Sequence, residues 1–279
     1  MIRKVESIFF SSSLIVVLGF LLTGCAGWNG LMPEKYDGKN VQRDKAAIEA
    51  YSKTKEIVGE SKDLYILEPF SESLLKPSLP LAESDFFKME PGEYIVGEDF
   101  PAGRYQFRYM TELLEPHLMN NATLRVTDEK DQLIVEELLT PYKTGYVETD
   151  LYAGSKISLS GESFSVEMGA DEDLSLQLIE QALKTGEILL TNGVWEVGEH
   201  LEAGTYVFSE VPPGGYLYLF DRTVDPRVFE LQGQSELNEE TGEFMPIKTN
   251  LELTVETGQK MYLKDLIQPL KLVGKDQKK

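Results

Sequence analysis

Residues 92–105 read GEYIVGEDFPAGRY, and residues 193–206 read GVWEVGEHLEAGTY. At an offset of 101, seven of the 14 positions are identical: Gly92, Val96, Gly97, Glu98, Ala102, Gly103 and Tyr105 recur as Gly193, Val197, Gly198, Glu199, Ala203, Gly204 and Tyr206. Tyr94 against Trp195 and Phe100 against Leu201 keep their apolar character. The correspondence continues with drift. LRVTD (124–128) faces LYLFD (217–221) at an offset of 93, and AGSKISL (153–159) faces TGQKMYL (257–263) at 104. Fixed strands separated by loops of changing length produce such drift. A period of about 100 residues exceeds a solenoid unit and suits a whole domain.

Within the phrase, Tyr94 and Val96 alternate with polar neighbours, Gly97 interrupts, and Tyr105 and Phe107 restart the alternation. Phe100-Pro101-Ala102-Gly103 fits a type I turn, with Pro second and Gly fourth. Period-two runs recur at Leu124/Val126 and Ile157/Leu159, which is the pattern of antiparallel sheets packed on one face. The expected fold is therefore mainly β: two tandem homologous antiparallel β-sandwich domains, jelly-roll or immunoglobulin-like, over 84–169 and 186–270. A linker spans 170–185 and a polar tail 271–279.

Upstream, VQRDKAAIEAYSKTKEIVGE (41–60) carries Ala46, Ala47 or Ile48, Tyr51, Ile57 and Val58 on one helical stripe. One helix is expected there, as a spacer or a support for the next domain. Pro69, Pro77 and Pro80 forbid a long helix in the connector to residue 83.

Composition narrows the function. Hydrophobic residues at 42% supply a core, and the net charge of −20 repels a phosphate backbone, so nucleic acid is not an expected partner. At the N-terminus, Arg3 and Lys4 precede an uncharged run from Ile8 to Leu22, and Leu22-Thr23-Gly24-Cys25 follows. That run is short of the roughly 20 residues a bilayer span needs and reads as an export signal over 1–24. Leu22-Thr23-Gly24-Cys25 resembles the lipobox of bacterial lipoproteins. The resemblance implies cleavage before Cys25, a lipid on its sulfur, and anchoring to the cell membrane outside the cytoplasm. Cys25 is the single cysteine, so no internal disulfide is available. Removing 1–24 leaves 25 bases against 46 acids, a body that an anionic membrane surface holds off, at the end of a tether from residue 25. The repeated phrase itself resembles wording in uncharacterised lipoproteins and surface proteins of Gram-positive bacteria. It covers about 14 residues per copy, implies a fold and an address, and assigns no chemistry.

Few residues read as a site. Glu98, Asp99 and Glu199 beside the repeated glycines are a weak calcium set, and His200 in place of Asp99 weakens the second copy. Carboxylates accepting N–H groups in their own turns are the structural alternative. Asp171-Glu172-Asp173 lacks the spacing of a calcium loop, and His117 and His200 have no cysteine partner for zinc. No nucleophile–base phrase or nucleotide loop stands out, so an enzyme is not expected. Thr123, Arg125 and Thr127 of the first copy correspond to Tyr216, Tyr218 and Phe220 of the second. That strand is apolar on both faces, which makes it an aromatic binding platform or a face covered by other parts of the chain. The expectation is a lipid-anchored binding or adhesion protein for an envelope protein or glycan. The alternatives are a structural or accessory spacer and, behind it, an unrecognised hydrolase.

Overall fold

Short alternating runs punctuated by glycine build sheets rather than helices, and the protein is mainly β. The computed structural model describes residues 45–110, 121–140, 143, 146–161, 166–171, 187–210, 213–232, 236–237, 244–245 and 251–275. The expected signal at 1–24 and the tether expected from residue 25, His117 and nearly all of 170–185 lie outside them.

A helix, α1 (Lys45–Thr54), and a two-residue strand, β1 (Glu56–Ile57), come first. The first half then holds β2 (Phe87–Met89), β3 (Gly92–Ile95), β4 (Gly103–Tyr109), β5 (Ala122–Thr127), β6 (Leu133–Leu139), β7 (Val147–Leu151), β8 (Lys156–Gly161) and β9 (Val166–Gly169). The second half holds β10 (Glu187–Leu190), β11 (Gly193–Glu196), β12 (Gly204–Glu210), β13 (Pro213–Phe220) and β14 (Arg227–Gln232). It continues with β15 (Glu236–Leu237), β16 (Phe244–Met245), β17 (Glu252–Val255), β18 (Lys260–Lys264) and β19 (Leu270–Gly274).

Eight strands of each half follow the same neighbour order. One sheet of the first half runs β3-β8-β5-β6, and the second half contains the succession β11-β18-β13-β14. The first half's other succession, β2-β9-β4-β7, has its counterpart in the sheet β10-β19-β12-β17. Registers agree too: Gly92 faces Leu159 as Gly193 faces Leu263, and Phe107 faces Met168 as Phe208 faces Leu272. The halves are nonetheless merged. β7 and β11 pair in parallel at Glu148 and Gly193, which fuses two four-strand successions and β1 into one nine-stranded sheet. β15 and β16 form a separate two-stranded ribbon.

Two apolar cores result. The second contains Trp195, Phe208, Leu217, Leu219, Phe229 and Leu272. The first contains Tyr105, Phe107, Leu124 and Ile157 of the first half, and it also takes in Val194, Tyr218, Phe220, Val228 and Tyr262 from the second. Strands β13, β14 and β18 therefore bury both faces, one in each core.

Residues 56–84 act as a strap. β1 pairs with β14, and the Ser71 N–H donates to the Leu133 carbonyl (2.8 Å) while the Leu133 N–H donates to that of Pro69 (3.1 Å). The Arg104 N–H donates to the Pro80 carbonyl and the Ala82 N–H to that of Arg104. Proline has no N–H to offer a ladder, so these stretches run extended and lend carbonyls to edges that would otherwise lie open.

Three expected boundaries move. The helix ends at Thr54 rather than near residue 60, because Glu56 and Ile57 leave it to pair with Phe229 and Val228. The polar tail begins too early at 271: Leu272 is buried in β19, the strand between β10 and β12. The turn expected at Phe100–Gly103 lies at Gly97–Asp99, where Gly97 adopts φ 96° and donates its N–H to the Phe100 carbonyl at 2.7 Å.

Candidate functional site

The aromatic strand is the first correction. Tyr218 is 4% exposed and Phe220 0%, so neither can serve as a binding platform. Phe70 of the strap packs edge-on against both rings, at 5.5 and 5.0 Å between centroids. Tyr262 stacks on Tyr218 at 5.5 Å, and the Tyr218 hydroxyl donates to the Tyr65 carbonyl at 3.0 Å. Tyr216 is half-buried against Tyr65. A strand apolar on both faces is a strand covered on both faces.

Asp99 is occupied by its own turn. Its Oδ2 accepts the Ile95 N–H at 2.7 Å, and in the second half His200 Nδ1 accepts the Glu196 N–H at 2.8 Å. Histidine does here what aspartate does there, because a neutral imidazole nitrogen is also an acceptor. Each turn is closed again by a tyrosine: Tyr105 donates to the Pro101 carbonyl and Tyr206 to that of Glu202. Glu98 and Glu199 are exposed beside these turns. Among the described residues no group of three or more His, Cys, Asp or Glu is placed to hold a metal ion. Asp171 sits against Gln106, to which it donates its N–H. Cys25 lies outside the described residues.

The concentrated chemistry is at the seam between β7 and β11, and sequence reasoning missed it. Arg104 on β4 donates from Nε to Glu148 Oε1 (2.5 Å), from one terminal nitrogen to Asp150 Oδ1 (3.3 Å), and from the other to the Val194 carbonyl (2.7 Å). Its guanidinium lies over the Trp195 ring at 5.2 Å. Lys260 on β18 donates to Glu196 Oε2 (2.7 Å) and Ser78 Oγ (2.8 Å), with Asp150 Oδ2 at 3.7 Å. The strap supplies further donors, Ser78 N–H to Glu196 and Leu79 N–H to Asp150. Arg104, Glu148, Asp150 and Lys260 are all buried. Hydrogen bonds from Lys260 and Ser78 overcome desolvation and hold the Glu196 carboxyl below the usual range, so it stays ionised.

Beside this cluster lies a cavity of about 10 Å³, room for one water, lined by Thr149, Asp150, Lys260, Leu74, Ile134 and Val194. The Thr149 hydroxyl is buried there with no protein partner. Every charged donor of the seam is aimed at an acceptor within it, and the arrangement works as a joint. Its sequence signal was the contrast between copies: Arg104 stands where the second copy has Thr205.

A second cluster lies across the same interface. Glu137 of β6 is buried between Val135 and Leu139, and burial pushes its carboxyl from 4.5 up to about 8. Glu137 Oε2 accepts the Asp265 N–H at 3.3 Å and lies 3.5 Å from Lys143 Nζ. No known family model matches the sequence, and no curated protein is similar enough to count as a relative.

Proposed function

We propose that this chain is an exported, lipid-anchored, non-catalytic envelope protein, built from two copies of one β-sandwich unit and serving as a rigid accessory or spacer part. The carrying observation is where its chemistry is invested. The aromatic strand of β13 and the Arg104–Lys260 cluster, the features best suited to a ligand, are consumed in joining the halves. Matched strand orders, registers and turn caps support the duplication. The lipobox at Cys25 supports the anchor, and the excess of acids supports a body held off the membrane. Among the described residues no helix is long and apolar enough to cross a membrane.

Expression of the full chain and its Cys25→Ala form in a bacterial host tests the anchor. Wild type is expected in the membrane fraction, shortened at its N-terminus and carrying lipid, and the variant as unprocessed precursor. Normal processing of the variant would sink the lipid reading. For the accessory role, a partner cross-linked to the anchored chain is expected to be retained by Tyr216→Ala. Loss of that partner from the folded variant would restore a ligand surface at β13.

A further inference from the structure

Glu137 occupies a position that the repeat fills with an apolar ring. It pairs with Leu124 across β5 and β6, as Phe229 pairs with Leu217 across β13 and β14. A core that accepts phenylalanine in one copy holds a carboxyl in the other, and its Oε1 has no hydrogen-bond partner. Burying an unpaired polar group is costly, so its surroundings are informative. Lys143 Nζ lies 2.9 Å from Asp265 Oδ1, and Glu137 Oε2 lies 3.5 Å from that nitrogen while accepting the Asp265 backbone N–H. Asp265 is one of three non-glycine residues held at positive φ among the described residues, at 61°. Glu137 lies near enough to Tyr218 and Tyr262 to help burial raise their hydroxyls, and Lys264 pairs with Glu136 at the rim.

From this geometry we propose that Lys143 and Asp265 condense into an intramolecular amide that ties the two halves together, with Glu137 moving the protons. The chemistry balances with no outside reagent. The Lys143 ammonium passes one proton across its 2.9 Å hydrogen bond to Asp265 Oδ1, leaving a neutral amine and a neutral acid beside protonated Glu137. Nζ then attacks the Asp265 carboxyl carbon. The tetrahedral adduct loses a hydroxyl, protonated by Glu137 and released as water, and Glu137 recovers a proton from the nitrogen. One C–N bond forms, one C–O bond breaks, and Glu137 ends as it began.

Proximity is already supplied. Productive approach needs about 3–3.5 Å between reacting atoms, and the ion pair holds the amine against the carboxyl group. Burial keeps Glu137 in its acid form near neutral pH, as a proton donor requires. The Asp265 side chain is 40% exposed, which gives the departing water an exit. The seam lysine, Lys260, does not meet these terms, because its partner Glu196 is held ionised. A chain with a single cysteine has no disulfide with which to lock its halves, so an amide is the covalent tie its residues allow.

The test is mass spectrometry of the purified full chain. Wild type is expected one water below the mass set by its sequence and its N-terminal processing, with a branched proteolytic peptide joining the segments of Lys143 and Asp265. Lys143→Arg, Asp265→Ala and Glu137→Gln are each expected at full mass without the branched peptide. Wild type at full mass with a cooperative unfolding transition overturns the proposal. So does water loss that persists in Lys143→Arg, which would place the dehydration elsewhere. The readout does not depend on export or lipidation, so its failure is distinct from failure of the anchor.

Discussion

Gly193 lies so close to Glu148 that a Cβ added to it would stand 2.0 Å from the Glu148 carbonyl oxygen. It also adopts φ 119°, a conformation L side chains rarely take. Its counterpart Gly92 begins β3 with nothing within 4 Å of where its Cβ would be. The same letter of the repeat is thus required at Gly193, by the fusion of the halves, and sterically unconstrained at Gly92. Gly193→Ala is expected to destabilise by about 3 kcal/mol or more, or to prevent folding. Gly92→Ala is expected to stay within about 1 kcal/mol of wild type. Urea midpoints of the two variants decide this, and equal midpoints would refute the account of the seam.

Stability should have a plateau in pH. Burial, with Arg104 and Lys260 nearby, pushes His200 from 6.5 down to about 3, and its Nδ1 must stay unprotonated to accept the Glu196 N–H. A depressed base is neutral when folded and charged when unfolded, so its contribution is lost as pH falls from 6.5 toward 3. Glu137 has the opposite sign: raised from 4.5 to about 8, it contributes fully below 4.5 and loses that contribution as pH rises toward 8. Between 4.5 and 6.5 the two slopes cancel. Thermal unfolding across pH 3–9 is expected to show a flat top flanked by two falling limbs. His200→Asn, which keeps an acceptor without titrating there, should flatten the acid limb, and Glu137→Gln the alkaline one. Limbs unchanged in both variants would assign the titrations to other groups.

Covering the aromatic strand has an energetic consequence. Tyr218→Ala removes a buried ring from contact with Phe70 and Tyr262 and should cost about 3–5 kcal/mol. Tyr218→Phe keeps the packing and loses only the bond to the Tyr65 carbonyl, an expected cost of about 1 kcal/mol. Denaturant midpoints separate the two. A Tyr218→Ala form as stable as wild type would mean that the face is open.

What the sequence made legible follows physical locality. The repeated phrase encodes turns whose partners lie within four residues, Ile95 with Asp99 and Glu196 with His200, so identity and spacing revealed a recurring turn, though they put it three residues too late. The fusion is encoded by pairs far apart, such as Arg104 with Glu148 and Phe70 with Phe220, and no local period marks them. They did leave a trace: Arg104 against Thr205, Glu137 against Phe229 and Arg125 against Tyr218 are the places where the copies disagree. Agreement between the copies reports the unit, and disagreement reports where the units meet.

Burial should decide the worth of the ion pairs. Lys260 is 2% exposed, and without it Glu196 and Asp150 lose their shared cation inside the protein. Lys260→Ala is expected to cost about 3–5 kcal/mol, mostly from stranded charge rather than the bond itself. Arg227 makes a geometrically better contact, a two-pronged bond to Glu56 at 2.8 and 2.7 Å, but its side chain is 52% exposed. Water competes for that pair, so Arg227→Ala should cost less than about 1 kcal/mol. The cost should shrink further in high salt, while that of Lys260→Ala should barely change. Chemical unfolding of both variants at low and high salt measures this, and a larger loss at Arg227 would mean that the strap's outer end, not the seam, holds the halves together.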